Sequence, residues 1–417
     1  MNSRVLRLDW ITIILFFSLV IFGWITIYST TASSSDSGLL DLSKPYGRQL
    51  LFILLSFIII TIVLSISTKF YERFSSIFYI LGLLLLLGLL FFGKTINGQT
   101  AWYSFGSFSL QPAEFTKTTV ALAVAKYLSG LNVDLKKIKH QINVFVILAL
   151  PIGLILLQPD AGSALVYFSF FIALYREGLP GFYIFSGLLA VVLFATVLLL
   201  GSVYTAVLVV AISLIVLYFN SKFKKPKLKT LLIGLCSLAF VFSVNFIYNS
   251  ILLPHQKERF EVLINPEVDI KKSGYNLYQS KVAIGSGGFL GKGYLSGTMK
   301  IGGFVPEQET DYIYTVIGEE WGFIGSTLVI VLFIIFLTRL LILAERQKRP
   351  FSRIYGYGVF GVIFINFFVN IGMVIGIIPT IGIPLPLFSY GGSGLWGFSI
   401  LVFILIRLDA ERQKLGS

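Results

Sequence analysis

The sequence predicts an all-α polytopic integral membrane protein, and three observations carry that reading. Apolar residues make up 56% of the chain and charged residues only 13%, where a soluble domain carries about a quarter charged. Apolar runs of roughly 17–25 residues recur along the whole chain, the length a helix needs to cross the hydrocarbon core. Alternating barrel-type strands are absent, so helices are the remaining way to satisfy the backbone in lipid.

Taken in order, the runs predict spans near 10–28, 49–67, 75–93, 112–128, 142–157 and 161–175. They continue near 181–200, 203–219, 231–252, 316–339, 355–378 and 392–407, giving about twelve. The first, from Trp10 to Tyr28, is longer than a signal-peptide core and has no small-residue cleavage site, so it reads as a retained helix. Three divisions are expected: residues 1–253, with nine helices and the outward segment 94–114; a long outward loop, 254–315; and residues 316–417, with three helices and the PLPLFSYGGSG turn.

The formal net charge of +13 sorts by side. Arg4 and Arg7, Lys69 and Arg73, Lys136, Lys137 and Lys139 fall on alternate connections. So do the SKFKKPKLK run Ser221–Lys229, the segment Arg346–Arg353, and Arg407, Arg412 and Lys414. Short loops rich in lysine and arginine stay inside, which puts the N-terminus in the cytoplasm. The basic excess is therefore a topology signal. Nucleic-acid binding would need a basic face on a soluble domain, and none is legible. The single cysteine, Cys236, excludes a disulfide framework or cysteine metal cluster. His140 and His255 are too few and too far apart in sequence for a typical histidine site.

Ionisable groups within or beside spans are functional candidates by default. Gln111-Pro-Ala-Glu114 with Lys117 opens the fourth span; Glu114 and Lys117 share a helix face, where a plain ion pair is the competing reading. Gln158-Pro-Asp160 forms a tight turn in which Asp160 has the makings of an N-cap. The run Pro306–Glu320 predicts a helix start whose Asp311, Thr315 and Glu319 share a face, or else acids that merely complement the dipole. Lys281–Gly293 (KVAIGSGGFLGKG) fails as a phosphate loop, since Ser286 and Gly293 stand at required positions. Its amides with Lys281 and Lys292 retain the composition of an anion cradle. The segment Pro379–Gly394 (PTIGIPLPLFSYGGSG), rich in proline and glycine, reads as a cavity-lining turn containing Ser389, Gly391 and Gly392.

Through these residues the chain resembles the SEDS family of membrane glycosyltransferases. The signature appears as Asn370, Gly376-Ile-Ile-Pro379-Thr-Ile-Gly382 and Leu387-Phe-Ser389-Tyr-Gly-Gly-Ser393. It continues in Gln111–Glu114, Gln158–Gly162 and Pro306–Tyr312. Gly291–Thr298 and Asn370-Ile-Gly-Met373 are closer to the elongation branch than to the division branch. Ala113, Tyr312 and Gly394 depart from the usual residues, and a helix pair near Gly181–Phe219 is additional to the family's ten.

The resemblance implies polymerisation of peptidoglycan from lipid II, with release of undecaprenyl pyrophosphate and a class B penicillin-binding protein as partner. It marks Asp311 as the essential acid and general base. It leaves Gln111, Glu114, Lys117, Asp160, Lys281, Lys292, Ser389, Gly391 and Gly392 as candidate substrate or pyrophosphate contacts. A divalent cation, Mg2+ or Mn2+, held partly by Glu114 or Asp160, is the alternative to lysine for stabilising the leaving group. Two other functions compete: a lipid II flippase, and a non-catalytic scaffold for the penicillin-binding protein.

Overall fold

A computed structural model describes residues 8–31, 38–96, 98–106, 108–223, 227–251, 257, 260, 274–297 and 308–412. Of the expected loop 254–315, residues 254–256, 258–259, 261–273 and 298–307 lie outside these residues, including Lys271, Thr298, Pro306 and Glu307. Lys224 and Lys225 also lie outside them.

The chain begins with α1 (Trp10–Thr31), α2 (Pro45–Ser65) and α3 (Thr68–Phe92). A small meander follows: β1 (Lys94–Ile96), β2 (Gln99–Phe105) and β3 (Phe108–Leu110), antiparallel throughout. The helices α4 (Pro112–Leu128), α5 (Ile138–Leu156), α6 (Ala161–Val166) and α7 (Phe170–Arg176) come next, with one 3-10 turn joining the last two. Then come α8 (Phe182–Leu200), α9 (Ser202–Lys222), α10 (Lys227–Phe246), α11 (Tyr275–Ser286), α12 (Ile313–Glu345), α13 (Pro350–Val374) and α14 (Gly392–Arg412). Proline opens α2, α4 and α13, where its missing N–H is no loss and its fixed φ suits the first helical turn.

Every expected span is helical, and the chain is a multi-pass, all-α membrane protein. Among the described residues, ten helices are long and apolar enough to cross a bilayer. The other two fall short of that standard. Helix α4 has 17 residues and carries Glu114, Lys117 and Lys126, while residues 161–176 form a short, interrupted segment. Helix α4 is mostly buried against protein, so it is not held to the length and apolarity that lipid contact demands. The meander at 94–110 was not expected. Its signals are the Asn97-Gly98 pair and Gly106, with φ of +80° at Gly98 and +63° at Gly106.

The described residues form two compact units, Met1–Leu179 with Gln279–Ser417, and Pro180–Tyr278. This division follows packing and cuts across the three-part division read along the chain. In the first unit α13 and α14 are central, with 72% and 83% of their membrane windows buried. In the second, α8, α9 and α10 pack through Leu193, Val197, Val209, Val241 and Val244. At one end of the first unit Asp9 accepts from Arg339 and Arg346, and Asp409 accepts from Arg346, Gln347 and Arg412. Burial pushes the Asp9 carboxyl up, but hydrogen bonds from Arg339 and Thr12 outweigh it and hold the group at about 2. That contribution to stability is complete above 3.8, the ordinary value, and is lost as pH falls through about 2.

Candidate active site

Two loops converge at the opposite end, and a single asparagine joins them. Asn370, fully buried near the end of α13, donates from Nδ2 to the backbone oxygens of Asp311 (2.8 Å) and Ile383 (2.7 Å). Ser389 Oγ donates to Thr310 O at 2.6 Å and accepts from Leu385 N at 2.8 Å. The Tyr390 amide donates to Glu309 O at 2.8 Å, and the Tyr312 and Thr380 hydroxyls lie 3.0 Å apart. The 379–391 turn therefore holds Glu309 and Thr310 by their backbone oxygens and Tyr312 by its hydroxyl, while Asn370 holds Asp311 by its backbone oxygen. A Cβ built on Gly382, at φ +80°, would stand 3.3 Å from Asp311 Oδ2, so the carboxylate lies over that glycine. Asp311 is half-buried.

The expected helix over Pro306–Glu320 starts later than the acidic run suggests. Helix α12 begins at Ile313, so Asp311 sits in the preceding turn and does not share a helix face with Thr315 and Glu319. Thr315 instead meets Ser280 at 2.6 Å, and Glu319 pairs with Lys292 at 2.7 Å. The cause is the grip on residues 309–311, whose carbonyls accept from the 379–391 turn and Asn370.

The other two motifs close on the same turn. Gly162 follows Asp160, and a Cβ there would lie 3.0 Å from Ile381 O. Asp160 is the N-cap of α6: Oδ1 accepts from Ser163 N at 3.0 Å, and Oδ2 from Ser163 Oγ at 2.7 Å and Gln111 Nε2 at 3.1 Å. The Gln111 amide donates to Ser393 Oγ at 3.0 Å, on the first turn of α14. Below it, Lys117 Nζ is 2.6 Å from Glu114 Oε1, and both side chains are almost fully buried. Phe398 lies 5.3 Å from the ammonium, within cation–π range. Glu114 Oε2 is buried with no hydrogen-bond partner. The plain ion-pair reading of these two residues and the cap reading of Asp160 both describe what the structure contains.

The Gly391 amide donates to Gln49 Oε1 at 3.1 Å, and its φ of +153° belongs to glycine. Gly392 opens α14 against Phe52, whose ring atoms would stand 3.1 Å from an added Cβ. Arg48 lies beside Tyr390; burial pushes that phenol up and Arg48 opposes it. Sequence reasoning missed Arg48, Gln49 and the bridging role of Asn370, although Asn370 stood in the signature.

The glycine-rich segment is where expectation and structure part most clearly. Helix α12 is broken at Gly322, with φ +60° and ψ −154°. Four hydrogen bonds join the broken turn to residues 288–293. Lys292 N donates to Glu319 O and Gly293 N to Glu320 O, each at 3.0 Å, while Phe323 N donates to Gly288 O at 2.9 Å and Ile324 N to Phe289 O at 3.3 Å. A Cβ on Gly291 would overlap Glu320 O at 2.1 Å. These glycines permit close backbone contact at a helix break, and the amides of Lys292 and Gly293 serve that break. Lys292 belongs to it as well, whereas Lys281 is exposed on α11 and makes no hydrogen bond or ion pair among the described residues.

Glu114 and Asp160 do not make a cation site. Both Asp160 oxygens are taken by cap and glutamine donors, and Glu114 faces an ammonium. Among the described residues no group of three or more His, Cys, Asp or Glu could hold a metal ion.

The fold is that of a polytopic, all-α membrane protein family. The chain belongs to the FtsW/RodA/SpoVE family of cell cycle proteins, which matches residues 9–205 and 181–414. It is like the elongation members. It is 32% identical to the peptidoglycan glycosyltransferase RodA of Treponema pallidum, over 97% of this chain and 98% of that one. It is 31% identical to the peptidoglycan glycosyltransferase MrdB of Escherichia coli, over 98% and 95%. A chain from a peptidoglycan synthase complex that coordinates polymerization and crosslinking superposes with a TM-score of 0.72 at 25% identity, covering 97% and 98%.

Proposed function

We propose that this protein is a peptidoglycan glycosyltransferase, joining lipid II disaccharides into glycan strands during cell-wall elongation in the bacterial inner membrane. The observation that carries the mechanism is the backbone grip on residues 309–311. It sets the Asp311 carboxylate over Gly382 while the Gln111, Asp160 and Ser389 motifs close around the same turn. Asp311 acts as general base. It takes the proton from the 4-hydroxyl of the acceptor lipid II as that oxygen bonds to the anomeric carbon of the growing glycan. The bond to undecaprenyl pyrophosphate breaks in the same displacement. Among the described residues, Arg48 and Lys281 are candidate cations for the leaving group, and Lys117 serves Glu114.

The relatives named as peptidoglycan glycosyltransferases support this reading. Likeness to a synthase-complex chain supports assembly with a class B penicillin-binding protein. A flippase would use a broken helix to expose backbone groups to its cargo. Helix α12 is broken, but residues 288–293 occupy the groups the break frees, which favours the enzyme. The test is polymerisation of purified lipid II by purified protein, alone and with the partner. Long glycan products are expected, and their absence in both conditions refutes the activity.

In the same assay Gly391→Val and Gly392→Val are expected to insert normally and yield no polymer. One forces an unsuitable φ, costing about 1–3 kcal/mol, and the other displaces Phe52. Wild-type product from both would reduce the turn to a simple connection. Orientation follows from the charge pattern. In a Cys236→Ser background, an impermeant thiol reagent on intact cells is expected to label Ser43→Cys and spare Lys136→Cys. The reverse pattern would invert the topology.

A further inference from the structure

We propose that the groove between α8 and α10 is a binding site for an anionic phospholipid, its acyl chain lying between the helices and its phosphate on Lys229. The groove has a volume of about 520 Å3 and is lined by Phe185, Leu189 and Leu193 from α8 and by Ile233 and Phe240 from α10, with Lys229 among the lining residues. That volume falls within the roughly 300–1,000 Å3 of ordinary ligand clefts. Apolar walls closed by one cation match an amphiphile with a charged head.

Charge complementarity selects the head group. Lys222 ends α9 and Lys227 begins α10, on the same side of the helical hairpin as Lys229. The sequence places five lysines within residues 221–229 and no aspartate or glutamate between Glu177 and Glu258. Among the described residues, the helices of this unit contain no acid to neutralise these ammonium groups. Lysine clusters directly beside spans attract anionic lipid head groups, and basic pockets between helices hold them. The surrounding faces meet lipid: only 11% of the α8 window and 6% of the α9 window is buried. A zwitterionic lipid would fill the same apolar walls but leave the ammonium cluster without a net counter-charge.

Native mass spectrometry of the detergent-purified protein, titrated with phosphatidylglycerol or phosphatidylcholine of identical chains, tests the proposal. Wild type is expected to retain phosphatidylglycerol preferentially. Lys229→Gln is expected to weaken that retention about fivefold and leave phosphatidylcholine unaffected. Ala190→Trp, which fills the groove and leaves the charges in place, is expected to reduce phosphatidylglycerol retention as well. Lys136→Gln, on another basic connection, is expected to change nothing. Equal retention of the two lipids by wild type overturns the proposal. So does unchanged phosphatidylglycerol retention in Lys229→Gln and Ala190→Trp, including the case in which the groove seats a helix of another protein.

Discussion

Asp311→Asn is expected to fold, insert and keep its penicillin-binding partner, yet lose lipid II polymerisation by about 10²–10⁴-fold. The structure explains why the two effects should separate. The bond from Asn370 reaches Asp311 through its backbone oxygen, and the neighbouring grip on residues 309–312 also acts largely on backbone. Asparagine keeps that backbone, the side-chain size and one acceptor oxygen, but cannot take the acceptor's proton as a carboxylate does. Glu309→Gln is the matched control, because the Tyr390 amide bonds its backbone oxygen and not its side chain. Its effect should be mild. Polymerisation by Asp311→Asn within about threefold of wild type, at equal protein level, removes Asp311 as the base.

Lys117→Met is the second large effect, and it should appear as stability. Glu114 and Lys117 are almost fully buried, 2.6 Å apart, and the second Glu114 oxygen has no partner. Removing the ammonium leaves a buried carboxylate without compensation, a loss of about 3–5 kcal/mol when one member of a buried pair is deleted. Removing both charges relieves most of that penalty, because the desolvation of each ion disappears with it. Thermal unfolding in detergent should therefore rank wild type and Glu114→Gln/Lys117→Met close together and Lys117→Met far below. A single variant as stable as the double would show that the pair is not a buried electrostatic unit. Polymerisation by the double variant then reads any separate part that the pair plays toward substrate.

The sequence alone determined that the chain is helical and membrane-spanning, and where the spans fall. Hydropathy and proline positions are local properties, and lipid allows few other backbone solutions. Asp160 as a cap and Glu114 with Lys117 as an ion pair were legible for the same reason, since their partners lie three residues away. Only the tertiary structure decided what depends on distant partners. Asn370 spans 59 residues to reach Asp311, and Ser389 spans 79 to reach Thr310; those bonds keep Asp311 in a turn outside α12. The glycines from 287 to 293 have the composition of an anion cradle. The amides of Lys292 and Gly293 turn instead to the break at Gly322, as does the Lys292 side chain, because backbone groups freed within a membrane helix must find partners in the protein.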